Sequence, residues 1–162
     1  MAIVPGYALV AFGTKGVPGM AISDVMNLKL VSVRPDETAH VAVARMLESG
    51  VGSVLVCEDN HLLGIFTERD VLRLAGESAD LRQVRVADVM TKQVLSIGPD
   101  DDVLAAARLM GEKRIRHVPV VQDGNILGVV GIRDVMRSLV ELIWRSHDDD
   151  ARATARALLE RG

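Results

Sequence analysis

Aromatic residues are scarce in this sequence. Its 162 residues include two phenylalanines, one tyrosine and one tryptophan, and the formal net charge is -3. Modules that bind nucleic acids commonly stack bases on aromatic rings and carry basic surfaces. The composition therefore argues against nucleic-acid binding, and it predicts a core built from aliphatic side chains.

Cysteine is almost absent as well, since Cys57 is the only one. A single cysteine excludes an intramolecular disulfide and a zinc site made of several cysteines, which is typical of a protein from a reducing cytoplasm. His40, His61 and His147 lie far apart in the sequence and show no metal-ligand spacing. We therefore expect no bound metal.

Long hydrophobic runs are also missing. No stretch approaches the roughly 18 apolar residues that indicate a membrane-spanning helix. Residues 2–12 are mostly apolar but lack the basic residues that open a signal peptide, and we interpret them as an extension or an edge strand. Because 49% of all residues are hydrophobic, the chain is expected to form a folded core outside any membrane.

What the sequence does contain is an internal repeat. A shift of 64 residues aligns residues 24–73 with residues 88–137 without a gap, and about a third of the aligned pairs are identical. Composition alone would give about three or four identities over such a length. The two halves are therefore expected to share one fold.

Each half begins with a short predicted strand, at residues 30–33 and 94–97, followed by a proline and an aspartate. Aspartate is favoured at the N-cap of a helix, so we expect Asp36 and Asp100 to cap the first helix of each half. Gly50 is expected to end that helix in the first half, because glycine accepts the left-handed conformation common there.

Two apolar runs then predict a hairpin in each half: residues 53–57 with 62–66, and residues 118–121 with 126–130. Asp123-Gly124 is a strong signal for a tight hairpin turn. A second helix is expected to begin near Glu68 and Arg133, and residues 76–85 form a polar linker. The predicted order is β-α-β-β-α, twice. Because a unit of about fifty residues is marginal alone, the two units should pack together and form clefts, where small ligands commonly bind.

Two segments in each half carry a family resemblance. Asp-Val-Met opens each half, at residues 24–26 and 88–90, and Gly-Ile-Phe-Thr-Glu-Arg-Asp (64–70) and Gly-Val-Val-Gly-Ile-Arg-Asp (128–134) close the hairpins. Together with the β-α-β-β-α order, they resemble a stand-alone pair of cystathionine-β-synthase (CBS) domains. The resemblance implies an α/β (α+β) fold of two repeats related by pseudo-two-fold symmetry, with additional C-terminal helices.

On that basis the chain divides into five parts: an N-terminal extension (1–21), a first repeat (22–76), a linker (77–86), a second repeat (87–140) and a C-terminal helical tail (141–162). The resemblance implies a regulatory module and not an enzyme. Such pairs bind adenosine-containing ligands, such as AMP, ADP, ATP or S-adenosylmethionine, and commonly form dimers. We expect a cytoplasmic homodimer that requires no cofactor and acts on an unidentified protein target. The alternative is a ligand-free module for dimerisation or interaction.

The ligand signature of the family is Gly-x-x-(Thr/Ser)-x-x-Asp. It is complete in the first repeat, with Gly64, Thr67 and Asp70, whereas the second repeat has Gly131 at the threonine position and keeps Asp134. An ionised aspartate can accept hydrogen bonds from both ribose hydroxyls, and a helix N-terminus suits a phosphate. Ribose binding is therefore expected in both clefts, and phosphate contact mainly in the first.

The resemblance distributes the site residues over both repeats. The first cleft is expected to contain Thr67, Asp70, Thr91, Lys92 and Val94, with Arg116 and His117, just before Pro119, near the phosphates. The second is expected to contain Asp134, Asn27 and Leu30, with Gly52 and Ser53 at its opening and Arg133 as a candidate phosphate ligand. Because no side-chain cation is expected at that opening, a polyphosphate should prefer the first cleft.

Each of these roles has a simpler structural alternative. Asp70 and Asp134 could serve only as helix caps. Arg116 and His117 could serve only to place charge at the edge of a strand, which discourages pairing with another strand. An enzyme that uses His117 as acid or base lacks a second catalytic group at a recognisable spacing. Near the C-terminus, Trp144 lies in an apolar helical segment, which could pack in the core or contact a partner.

Overall fold

The computed structural model of the chain describes residues 8–11, 20–59, 61–145 and 156. Strand β1 (Ala8–Ala11) precedes the first repeat, which opens with a 3-10 turn (Ile22–Asp24). The first repeat consists of β2 (Ser32–Val33), α1 (Ala39–Ser49), β3 (Ser53–Glu58), β4 (His61–Thr67) and α2 (Glu68–Gly76). Most of the predicted C-terminal tail lies outside the described residues.

The short helix α3 (Val86–Val89) leads into the second repeat. That repeat consists of β5 (Gln93–Ser96), α4 (Val103–Lys113), β6 (His117–Gln122), β7 (Asn125–Gly131) and α5 (Ile132–Arg145). The predicted mixed α and β fold, with β-α-β-β-α in each half, is confirmed.

The described strands form three small sheets, in the orders β1-β5, β2-β3-β4 and β6-β7. In the first repeat β2 pairs parallel with β3, and β3 pairs antiparallel with β4. In the second repeat β6 pairs antiparallel with β7, and a parallel bridge from Ile97 to Val120 connects the end of β5 to β6. Strand β1 lies parallel to β5, which agrees with the edge-strand interpretation for residues 8–11.

Tight turns occur where the residue types predicted them. Gly50 ends α1 with φ at 65°, a left-handed conformation that glycine adopts without strain. Asp123 and Gly124, between β6 and β7, both have positive φ, 49° and 78°. Two positive φ values in a two-residue loop match the right-handed twist of the flanking strands.

The expected helix caps at Asp36 and Asp100 are wrong by two residues. Thr38 caps α1, its hydroxyl accepting from the Val41 N–H at 3.4 Å, and Asp102 caps α4, accepting from the Leu104 N–H at 2.7 Å. The residues before each cap cannot join the helix, because their carbonyl groups accept hydrogen bonds from a distant segment of the chain.

That distant segment belongs to the other repeat. Before α4, the Asp101 carbonyl accepts from the Ile22 N–H at 2.9 Å, and before α1 the Glu37 carbonyl accepts from the Val86 N–H at 2.9 Å. The two pairs are related by the 64-residue shift. Each repeat therefore holds the segment that opens the other repeat.

The hydrophobic cores show the same exchange. Ile22 is fully buried in the core of the second repeat, with Ile97 and Leu109, whereas Val86 is fully buried in the core of the first repeat. A third, smaller cluster is built around Leu55, with Ile65 and Val94, and receives side chains from both repeats. The repeats thus form one packed body.

Candidate functional site

The first glycine of the ligand signature lies where the two repeats meet. A Cβ atom on Gly64 would be 2.9 Å from the Thr91 carbonyl oxygen and 2.5 Å from the Met90 sulfur. The close approach permits a pair of backbone hydrogen bonds between Ile65 and Thr91, at 3.0 and 2.9 Å. Strand β4 of the first repeat is therefore joined to the start of the second.

The equivalent glycine of the second repeat makes the same kind of contact. A Cβ atom on Gly128 would be 2.9 Å from the Asn27 carbonyl oxygen, and Val129 and Asn27 exchange hydrogen bonds of 2.9 and 3.0 Å. Each signature is thereby brought against the opening segment of the other repeat. Two cavities lie at these junctions.

The smaller cavity, of about 140 Å³, lies at the first signature. Its wall contains Thr67, Arg69, Asp70, Thr91, Val94, Arg116 and His117, and is completed by Ile65, Gln93, Leu95 and Ile115. Of the residues expected there, Lys92 and Pro119 do not belong to the described wall. Pro119 is buried within β6.

Asp70 caps the helix that follows the first signature. Its Oδ2 accepts from the Thr67 N–H and from the Thr67 hydroxyl, both at 2.9 Å. Its Oδ1 lies 3.7 Å from Nη2 of Arg73, and the Asp70 side chain is 15% exposed. The capping role is thus present, and a carboxylate with about four acceptor sites still has capacity for a further donor.

The larger cavity, of about 440 Å³, lies at the second signature. Its polar wall includes Asn27, Lys29, Ser53, Glu68, Arg116, His117, Arg133, Asp134 and Arg137, and apolar residues such as Val31, Leu55, Val129 and Ile132 contribute the remainder. Leu30 is not part of the described wall.

The expectation that no side-chain cation accompanies Gly52 and Ser53 in this cleft is wrong. Lys29, Arg133, Arg137 and Arg116 all line it. Lys29 comes from the segment before β2, Arg116 from the residue before β6, and the other two from the first turns of α5. Lys29, Arg116 and Arg137 are all more than 20 positions from Ser53 in the sequence, so only tertiary packing brings them to the same cavity.

The Asp134 carboxylate repeats the backbone hydrogen bond of Asp70 but lacks its hydroxyl donor. Its Oδ2 accepts from the Gly131 N–H at 3.2 Å, and glycine at 131 offers no hydroxyl. The Ile132 N–H at the start of α5 donates to the Arg116 carbonyl at 2.8 Å. The first residue of α5 is therefore hydrogen-bonded to Arg116, the residue before β6.

Arg116 and His117 line both cavities. Nη2 of Arg116 lies 3.5 Å from Oε2 of Glu68, an ion pair between exposed side chains of different repeats. Burial lowers the pKa of His117 below its ordinary value; the carboxylates of Glu68 and Asp134 oppose this shift, and the cations of Arg116 and Arg133 reinforce it. His117 is therefore neutral near pH 7 and offers one donor and one acceptor nitrogen.

Three polar residues in the wall of the larger cavity were not predicted from the sequence: Lys29, Glu68 and Arg137. A signal existed for Arg137, because Arg133 and Arg137 are four residues apart in a predicted helix and so share one face. Glu68 and Lys29 follow no pattern that distinguishes them from solvated surface residues.

Other kinds of site find little support in the described part of the chain. No group of three or more His, Cys, Asp or Glu residues is placed there to hold a metal ion. Cys57 is half-buried, and burial raises the pKa of its thiol. Among the described helices, none combines the length and the apolar character that a membrane crossing requires.

Comparison with known proteins assigns the fold and its two-part site to a family. The CBS domain matches this chain twice, at residues 22–77 and 86–141. The chain belongs to the CBS domain family. The resemblance drawn from the sequence is therefore confirmed, and the two cavities lie between the members of a CBS pair.

Three relatives illustrate the similarity. "CBS domain-containing protein CBSX3, mitochondrial" from Arabidopsis thaliana is 36% identical over 138 residues, which cover 77% of this chain and 67% of that protein. A solved CBS-domain structure from Burkholderia ambifaria has a TM-score of 0.73 and 26% identity, covering 75% of this chain and 95% of that one. The CBS domain protein PAE2072 from Pyrobaculum aerophilum, complexed with AMP, has a TM-score of 0.69 and 25% identity, covering 76% and 98%.

Proposed function

We propose that this CBS pair is a regulatory module that binds an adenosine-containing ligand, AMP, ADP, ATP or S-adenosylmethionine, in the cavities between its repeats. The observation that carries the proposal is the junction of Ile65 with Thr91, which brings the signature residues Thr67 and Asp70 of one repeat against Thr91 and Val94 of the other. The AMP complex of PAE2072 supports the same ligand class.

The chemistry of the wall fits a nucleoside. The apolar side chains of Ile65 and Val94 can cover a purine ring, and the free acceptor capacity of Asp70 suits the ribose hydroxyls. Arg116 and His117 supply a cation and a neutral donor for a phosphate. Helix capping by Asp70 also holds its carboxylate in a fixed orientation before the ligand arrives.

Regulation follows from the position of the cavities between the repeats. A ligand that contacts both repeats favours one relative packing, and it can shift that equilibrium only by its difference in affinity for the two states. We propose that the module has no catalytic activity, needs no cofactor, acts in the cytoplasm and passes its occupancy to a protein target, with neither nucleic acid nor membrane as its partner.

Calorimetric titration of the purified protein with AMP, ADP, ATP and S-adenosylmethionine tests the proposal. At least one of them is expected to bind, and a ligand at about 100 times its Kd should add about 2.7 kcal/mol to the free energy of unfolding. For a chain of this size that is a rise of several degrees in Tm. Absence of both binding and stabilisation at millimolar ligand would favour the ligand-free dimerisation module.

Asp70→Ala is the matched variant for this titration. Loss of a charge-assisted ribose contact should cost about 1.5–3 kcal/mol of binding free energy, and Asp134→Ala tests the second cavity in the same way. Asp101→Ala is the control, because Asp101 also accepts from a backbone N–H three residues earlier, Gly98, at 2.7 Å, but lines neither of these cavities. An effect of Asp101→Ala equal to that of Asp70→Ala would assign the loss to the backbone contact that each carboxylate makes, and not to a ligand contact.

We also propose that the protein is a homodimer. Leu72 on α2 is 74% exposed and Met136 on α5 is 49% exposed, and the two are related by the 64-residue shift. Exposed apolar residues at equivalent positions on both second helices are suited to burial against a second copy of the chain. Light scattering should give about 35 kDa, twice the 17.5 kDa of one chain, and the double variant Leu72→Lys, Met136→Lys should give one chain. Leu28→Lys, at a residue 70% exposed outside the helices, should leave the mass unchanged; a monomeric wild type would refute the proposal.

A further inference from the structure

The two cavities differ in size and in charge. The cavity at Asp134 has about 440 Å³ and the cavity at Asp70 about 140 Å³, whereas pockets for small molecules commonly have about 300–1,000 Å³. The larger cavity is lined by four cationic side chains and two carboxylates, Glu68 and Asp134. The smaller is lined by two cations, Arg69 and Arg116, and one carboxylate.

Three of the cations belong to the larger cavity and not to the smaller: Lys29, Arg133 and Arg137. They come from two separate segments of the chain: Lys29 lies before β2, and the two arginines lie about one turn apart on α5. Several cations around one cavity can bind successive phosphate groups of one ligand, and arginine does so with two parallel hydrogen bonds.

A buried hydroxyl provides an independent observation. Ser53 is 8% exposed and lines the larger cavity, and its hydroxyl has no hydrogen-bond partner among the described residues. Leaving a buried polar group without a partner is unfavourable. A ligand oxygen in the cavity would supply that partner, whereas an empty structural void would favour alanine or valine at this position.

We propose that the larger cavity, and not the smaller, binds the ligand with two or more linked phosphates, as in a nucleoside diphosphate or triphosphate, through Lys29, Arg133, Arg137 and the Ser53 hydroxyl. The proposal rests on the proposed function, because it assumes that the CBS pair binds nucleotides. It reverses the preference expected from the sequence, where the first cleft was favoured for a polyphosphate.

The test compares ATP and AMP by calorimetry at 0.15 M salt, where the Debye length is about 8 Å and charges away from the ligand are screened. Arg137→Gln should weaken ATP binding about tenfold and AMP binding less than about twofold, because one charge-assisted phosphate contact is lost. Arg69→Gln, which removes a cation lining only the smaller cavity, should leave ATP affinity within about twofold.

Ser53→Ala separates a ligand contact from a structural role. It should weaken ATP binding about fivefold without lowering the Tm of the ligand-free protein, since no internal hydrogen bond is lost. If Arg69→Gln weakens ATP binding and Arg137→Gln does not, or if neither does, the assignment to the larger cavity is overturned while the proposed function stands. If neither nucleotide binds the wild type, both fail.

Discussion

Ile22→Ala is expected to lower the free energy of unfolding by about 2–5 kcal/mol, the usual cost of removing a large aliphatic side chain from a core. Ile22 has no exposed surface, and it packs with Ile97, Val103 and Leu109. All of these partners belong to the second repeat, although Ile22 opens the first. The substitution should therefore leave a cavity in the core of the second repeat, among residues that lie more than 70 positions after Ile22 in the sequence.

Denaturant unfolding measures the loss of stability, and methyl NMR shows where the cavity lies. In the Ile22→Ala variant the methyl signals of Leu109 and Val118 should shift, whereas those of Val54 should not. Val86→Ala is the mirror control, because Val86 is fully buried in the first core and should disturb Val54. Shifts confined to the first repeat in the Ile22→Ala variant would disprove the exchange of opening segments.

Local patterns predicted the elements of this fold well. The hairpin at Asp123-Gly124 and the helix end at Gly50 need residues in the left-handed conformation. Glycine and aspartate adopt that conformation more readily than most residues, so such positions can be recognised in a sequence. Strand and helix order followed from the repeat and from the spacing of apolar residues. These features are decided within a few residues along the chain, and so they could be predicted from it.

The exchange of opening segments could not be predicted in this way. Asp-Val-Met begins each half of the sequence. Nothing local indicates that the carbonyl groups of Glu37 and Asp101 accept hydrogen bonds from the N–H groups of Val86 and Ile22. The misplaced helix caps have the same cause. The same limit applies to the larger cavity, because Lys29 and Arg137 are brought together only by tertiary packing.

Gly64→Val is expected to destabilise the protein by about 3 kcal/mol, the upper end of the usual cost of overpacking. A Cβ atom at this position would lie 2.9 Å from the Thr91 carbonyl oxygen. That neighbour is backbone and cannot rotate away, whereas the Met90 sulfur at 2.5 Å belongs to a flexible side chain. Relief therefore requires β4 to separate from residue 91, which breaks the Ile65–Thr91 hydrogen bonds.

The separation should affect binding as well as stability, because Thr91 and Ile65 both line the smaller cavity. Denaturant unfolding and nucleotide titration of Gly64→Val should therefore both report a loss. Gly111→Ala is the control within the same chain: Gly111 lies inside α4 with nothing within 4 Å of a Cβ atom, and alanine there should stabilise the helix by about 1 kcal/mol. If Gly64→Val kept wild-type stability, the signature glycine could not be required by contact between the repeats, and its role would have to be sought in direct approach of the ligand to the backbone.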